Sequence, residues 1–215
     1  MGYKVSHDYQ QQRTRSAICR QSQKDSELHP KPLHFYRLGI YISLSTGLRI
    51  GEICALKWSD INIVDGTITI SRTIERIYII EGEKKHTEIV INTPKTKNSC
   101  REIPMSKELL AMIKPLKKVV NDDFYVLTND ERPTEPRTYR NHYNGLMAKL
   151  DIPKLEYHGS RHSFATRCIE AGCDYKTVSV LLGHSNISTT LDLYVHPNME
   201  QKKRCITKMF KSLGK

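Results

Sequence analysis

The sequence predicts an α+β fold, mainly α-helical, with one small three-stranded antiparallel β-sheet inserted between helices. Three observations carry that prediction. Apolar residues recur at helical spacing around Phe35, Leu38 and Ile42. Between residues 61 and 105 the pattern switches to an alternation rich in Ile and Thr, with Asp65-Gly66 as a turn. From Ser106 onward the helical spacing returns. With 215 residues, 38% hydrophobic and 27% charged, the chain has enough apolar material for one large domain or two small ones.

Taken in order, residues 1–30 form a polar, basic lead-in with a helix expected over 8–21, followed by the loop QSQKDSELHPKP. The main domain is expected over 31–197. It opens with a helix reaching Ser45, broken by Gly47, and RIGEICALKW starts a second, short helix. The strands are INIV and TITISRTIERIYII around the Asp-Gly turn, then HTEIVINT after the charged turn EGEKK, then CREIPM after the basic turn PKTKNS. Four helices follow, in SKELLAMIKPLKKVV, EPRTYRNHYNGLMAKL, SRHSFATRCIEAG and DYKTVSVLLG. Gly172 and Gly183 fit positions just past helix ends, and Asp174 fits an N-cap. A short helix is expected around Tyr194, with Ser188 or Thr189 as its cap. Residues 198–215 read as an amphipathic helix with Ile206, Met209, Phe210 and Leu213 on one face, expected to fold back onto its own domain.

Lys and Arg outnumber Asp and Glu by 34 to 23, a formal charge of +11. That excess points to a polyanionic partner, nucleic acid first, because neutralised phosphates release counterions. The six cysteines form no CxxC pair and no Cys/His cluster with zinc spacing. They read as buried free thiols of a reducing cytoplasm. The most apolar stretch, LGIYISLSTGL, is too short and too rich in hydroxyls to span a membrane. No metal, cofactor or membrane association is expected.

Five places can carry chemistry: Arg49 after the glycine break, Lys95 and Lys97 on a hairpin tip, His158 and Arg161 opening one helix, His184 after the end of the next, and Tyr194. Each alone has an ordinary reading, as a cap, a turn residue or a half-buried aromatic. Together they fit the cleavage of a phosphodiester. A tyrosine phenoxide conserves the bond energy as a phosphotyrosine ester. Two guanidiniums clamp the non-bridging oxygens, imidazoles add hydrogen bonds or move a proton, and an amine protonates the leaving oxygen.

At these residues the sequence closely resembles the tyrosine recombinases, also called the phage integrase family. TGLRIGEICALKW resembles the family's first arginine box, YHGSRHSFAT its H-x-x-R box, LLGHSNISTTLDLYVH its His/Tyr box, and PKTKNSCREIP its hairpin lysine element. The likeness covers residues 35–197, and the LDLY form is similar to integrases of conjugative transposons and phages of Gram-positive bacteria. The resemblance implies Tyr194 as nucleophile, forming a 3′-phosphotyrosine link. It implies Arg49 and Arg161 as phosphate clamps, His184 as support for the transition state, and His158 as an aid to proton transfer. Lys95 would be the general acid, with Lys97 as the alternative, and Glu52 the acidic support behind Arg49. Two departures stand out. Ser160 occupies a position where the family usually has leucine, and little precedes the catalytic region. The basic sheet and tail are therefore expected to supply phosphate contacts, with Lys84, Lys85, Lys97 and Arg101 as candidates. The expected partner is double-stranded DNA at attachment sites, with assembly into a synaptic tetramer by a full-length chain. The expected activity is site-specific strand cleavage and joining in the bacterial cytoplasm. Two rivals remain at this point: a DNA-binding relative without turnover, and an activity like that of type IB topoisomerases.

Overall fold

Helix α1 (Pro32–Thr46) lies at the centre of the fold because its apolar residues do not stop at one stripe. Phe35, Leu38, Ile40, Tyr41, Ile42 and Leu44 are each no more than 4% exposed. Ser43 and Thr46 turn their hydroxyls back onto the Gly39 and Ile42 carbonyls, at 2.8 and 2.7 Å, so they can be buried in this helix. The computed structural model describes residues 32–81, 84–93, 100–151, 156–188 and 199–213, with the backbone alone at 32, 33, 81, 84 and 201. The helix expected over 8–21, Lys95, Lys97 and the segment around Tyr194 lie outside the described residues.

Gly47 ends α1 in the left-handed region, at φ 68°, and a side chain there would meet Phe164 and Leu182. The chain turns into α2 (Ile50–Ala55), buried from Gly51 to Ala55. Trp58 starts a 3₁₀ turn (Trp58–Asp60); it is fully buried, edge-on to Phe35 with ring centroids 6.1 Å apart.

The expected three-stranded sheet exists, but with different members. It is β1 (Ile61–Asn62), β2 (Thr67–Ile70) and β5 (Arg101–Pro104), antiparallel in the order β1-β2-β5. Ile68 pairs with both Ile61 and Ile103, and all three point into the core. The Asn62 side chain accepts from the Val64 and Asp65 amides and so shapes the turn into β2. The alternating run TITISRTIERIYII is not one strand. It breaks at Ser71 and Arg72, where the Arg72 guanidinium reaches both Asp60 carboxylate oxygens at 2.5–2.6 Å. Beyond the break, β3 (Thr73–Glu81) and β4 (Lys84–Asn92) pair only with each other, as a nine-residue ribbon. Its root is anchored by buried Ile74, but Tyr78 and Ile80 further out are exposed.

Helix α3 (Lys107–Lys117) is capped by the Ser106 hydroxyl, which accepts from the Leu109 amide. Helix α4 (Pro136–Lys149) starts with proline at its first position and buries Tyr139, Tyr143, Leu146 and Met147. Helix α5 (Tyr157–Glu170) packs beside α1. Tyr36, Tyr139, Tyr157 and Tyr143 stack edge-on in series, with centroids 5.3–5.9 Å apart, and tie α1, α4 and α5 together. Helix α6 (Tyr175–Leu182) is capped by Asp174, which accepts from the Thr177 amide at 2.9 Å. It ends at Gly183, left-handed at φ 64°, as its spacing implies.

Helix α7 (Met199–Leu213) departs from expectation. Ile206, Met209, Phe210 and Leu213 are 45–73% exposed, so the helix does not fold back onto its domain. The cysteines also differ from expectation. Cys54 is buried, but Cys100, Cys173 and Cys205 are exposed, because a turn, a helix end and this uncovered helix carry them. Among the described residues no helix is long and apolar enough to cross a membrane.

Candidate active site

The C-terminal end of α6 organises the site. The last carbonyls of a helix lack internal partners and carry partial negative charge. Here three successive carbonyls each accept from a different arginine. Arg101 Nε donates to Leu181 O at 2.7 Å, Arg161 Nη2 to Leu182 O at 2.5 Å, and Arg49 Nη2 to Gly183 O at 3.0 Å. Residues more than a hundred positions apart in sequence therefore meet at one helix end.

Each arginine has a second anchor. Arg161, on the first turns of α5 and 4% exposed, donates through Nη1 to Gly47 O at 2.8 Å. Arg49, at the entry to α2, donates to Glu52 through Nη1 and through its backbone amide, both at 2.8 Å. Arg101 grips the same Glu52 with both Nη atoms at 2.9 Å. Glu52 is 3% exposed. Burial pushes its carboxyl upward, but the hydrogen bond and charge of Arg101, joined by Arg49, outweigh this and hold it below the ordinary carboxylate range. Glu52 therefore sits hydrogen-bonded to Arg49 and Arg101 at once.

Arg101 corrects one sequence expectation. It is not a surface contact for phosphate, since its side chain is 4% exposed and engaged with Glu52 and Leu181. The signal was available. On β5, Arg101 and Ile103 face one way and Glu102 and Pro104 the other, so an apolar Ile103 implies an inward Arg101. Lys85 is exposed on β4, and Lys84 pairs with Glu81 at the end of the ribbon.

The Arg49 side chain remains 39% exposed and opens onto a cleft of about 630 Å³. Leu48, Ile50, Tyr157, His158 and Arg161 line the cleft with it, together with Arg140, Asn144 and Glu156. Arg49, His158 and Arg161 therefore share one cavity. Sequence reading missed Arg140 and Asn144. They stand one helical turn apart on α4, beside the buried stripe of Tyr139 and Tyr143, which places them at the cleft's rim. Tyr157 also lines the cleft, but burial raises its phenol far above the usual range, so it is no phenoxide near neutral pH.

His158 stands edge-on to His162 one turn later, with centroids 4.6 Å apart at 82°. His184 follows Gly183 directly, and its amide donates to Ser179 O at 3.1 Å. Burial, then the charges of Arg161, Arg49 and Arg101 and the proximity of His162, pushes its imidazole down to about 4. His184 is thus a neutral hydrogen-bonding group at neutral pH. Ser160, which departs from the family's leucine, is buried and donates to Tyr157 O at 2.6 Å, closing the first turn of α5. Among the described residues no cluster of three metal-ligating side chains occurs. Chemically, the arrangement presents two guanidiniums and an imidazole to one cavity. That set suits a tetrahedral or pentavalent phosphate.

The family model described as "Phage integrase family" matches residues 17–201. A tyrosine recombinase described as XerC-like, from Caldanaerobacter subterraneus subsp. tengcongensis, is 34% identical over 182 residues, covering 77% of this chain and 46% of that protein. The transposase from transposon Tn916 of Enterococcus faecalis is 32% identical over 179 residues, covering 75% and 42%. The chain thus spans about half the length of the curated relatives it matches. Among solved structures, the Tn1549 transposon integrase in complex with a circular intermediate DNA superposes with a TM-score of 0.60 at 25% identity. That match covers 81% of this chain and 58% of the other.

Proposed function

The chain belongs to the phage integrase family, and from that premise we propose that it is the catalytic region of a tyrosine-type site-specific DNA recombinase. Tyr194 attacks the scissile phosphorus, and the bond to the 5′ oxygen breaks. The strand is then held as a 3′-phosphotyrosine ester, which a 5′ hydroxyl reopens by the reverse step. Arg49 and Arg161 take the non-bridging oxygens. His184 adds a neutral hydrogen bond, His158 assists the phenol's proton, and Lys95 (or Lys97) gives a proton to the leaving oxygen. Double-stranded DNA is the substrate, and a synaptic tetramer of full-length chains in the bacterial cytoplasm is the assembly.

One observation supports this above the others: Arg49, Arg161 and His158 line a single cleft, with both arginines anchored to the α6 end that leads into His184. Mutual anchoring fixes the charge before substrate arrives, which is where electrostatic catalysis gains most.

A nicked attachment site, built from the DNA flanking the gene, tests the reading. Cleavage of the scissile phosphate a few nucleotides from the nick frees the short strand that carries the 5′ hydroxyl and traps the ester, so a covalent adduct should run as a shifted band on a denaturing gel. Tyr194→Phe should remove it. An adduct that persists in that variant overturns the assignment of Tyr194. DNA retention without adduct in the native chain would mark a binding relative without turnover. Relaxation of supercoiled plasmid without joining between sites would mark a topoisomerase-like activity.

A further inference from the structure

The segment RCIEAGCDYK ends α5 and begins α6, away from the cleft. Gly172 is left-handed at φ 91°, its amide donates to Ile169 O, and the Cys173 amide donates to Cys168 O, each at 2.9 Å. In this helix ending, the side chain three places inside the helix meets the one just beyond the glycine, a contact that apolar groups usually make. Here both positions are cysteine, and Cys173 lies near enough to add to the upward shift of the Cys168 thiol. Two backbones joined by a 2.9 Å hydrogen bond bring the flanking residues within the span that a disulfide bridges. Cys173 is exposed, whereas Cys168 is half-buried against Ala165, Val178 and Leu182.

We propose that Cys168 and Cys173 form a thiol–disulfide modification site that reacts with small-molecule disulfides and closes into an intramolecular disulfide across the end of α5. Cys173, the reachable sulfur, loses its proton to solvent and attacks one sulfur of the incoming disulfide. That S–S bond breaks, one thiolate leaves, and Cys173 carries the other half as a mixed disulfide. Cys168 then gives up its proton, attacks the Cys173 sulfur and expels the second thiolate. The protein's two thiols are oxidised to one disulfide, and the small disulfide is reduced to two thiols. Burial pushes the Cys168 thiol up to about 11, which sets the order: Cys173 first, Cys168 second. A bridge around so short a loop removes little entropy from the unfolded chain. It therefore opens again under reductant and acts as a reversible mark, fixing the corner between α5 and α6 while closed.

Oxidised glutathione is the probe. The whole chain is incubated with it at mildly alkaline pH, remaining thiols are blocked with N-ethylmaleimide, and tryptic peptides are weighed. Both cysteines fall in one peptide, residues 168–176, because no Lys or Arg lies between Arg167 and Lys176. That peptide is expected unblocked and lighter by both thiol hydrogens, exceeding its glutathione adduct by roughly tenfold, since the second step is intramolecular. Cys168→Ser is expected to stop at a glutathione adduct on Cys173. Cys173→Ser is expected to leave Cys168 blocked by the maleimide. A native peptide that keeps two blocking groups, or that ends with glutathione on Cys173 and maleimide on Cys168, overturns the proposal. Because none of these readings involves DNA, they fail or succeed independently of the recombinase assignment.

Discussion

Arg101 and Glu52 form a buried two-bond clasp, Nη1 to Oε1 and Nη2 to Oε2, both at 2.9 Å, that joins β5 to α2 behind Arg49. Removing one partner of such a pair leaves a buried charge without its compensation. Arg101→Met should therefore cost about 3–5 kcal/mol in urea unfolding. Adding Glu52→Gln should recover part of that loss, since the stranded carboxylate goes with it. Additive losses in the double variant would show that the two side chains are not coupled.

Acid should unfold the protein in two separate windows. Glu52 is held below its ordinary 4.5 in the folded state, so its contribution is complete above 4.5 and is lost as pH falls through the lower folded value. His184 is pushed from 6.5 down to about 4 when folded, so between those values the unfolded chain binds a proton that the folded chain refuses. Stability should thus decline from pH 6.5 toward 4 through His184, and further below 4.5 through Glu52. His184→Asn should reduce the upper window without abolishing it, because burial also holds His142 and His162 below 6.5, and Glu52→Gln should reduce the lower one, in unfolding curves taken at half-unit pH steps.

The His184 imidazole should titrate near 4 by nuclear magnetic resonance, and Arg101→Lys should move that midpoint little because the positive charge stays. Arg101→Met should raise it. A midpoint near 6.5 in the native protein would show that burial and the three arginines do not disfavour the protonated imidazole.

Gly47→Ala should destabilise more than Gly172→Ala. Both glycines are left-handed, at φ 68° and 91°, so either alanine costs about 1–2 kcal/mol in backbone strain, and at Gly172 the new methyl meets nothing within 4 Å. At Gly47 the new methyl also lies 2.7 Å from Phe164 Cδ1 and 2.9 Å from Leu182 Cδ2, which forces the α5–α6 packing apart. Thermal melting of both variants checks the order.

Arg140→Ala should leave the melting temperature unchanged, because the side chain is exposed. It should weaken DNA binding by roughly threefold to tenfold and lower the salt dependence by about one phosphate contact. Binding measured at two salt concentrations separates this from a folding defect.

The described helices were legible in the sequence because their signals are local: Asp174 and Gly183 bracket α6 by side-chain chemistry alone. The sheet was legible only in part. Nothing local in TITISRTIERIYII marks the break at Arg72, which depends on Asp60, twelve positions earlier. Arg101 was hidden for a related reason. In a chain of 34 basic residues an arginine reads as surface, and only its strand-mate Ile103 and the remote Glu52 show otherwise. The juxtaposition of Arg49, His158 and Arg161 was what the family resemblance implied, and the three line one cleft. Arg140 and Asn144, which carry no motif, needed the fold to bring α4 to the same cavity.

Leu181, Leu182 and Gly183 each accept from one arginine, and every one of these arginines is tied a second time, Arg161 to Gly47 and the other two to Glu52. The loss of any single carbonyl contact would therefore loosen one guanidinium without freeing it, and the placement of charge in this corner is redundant by construction.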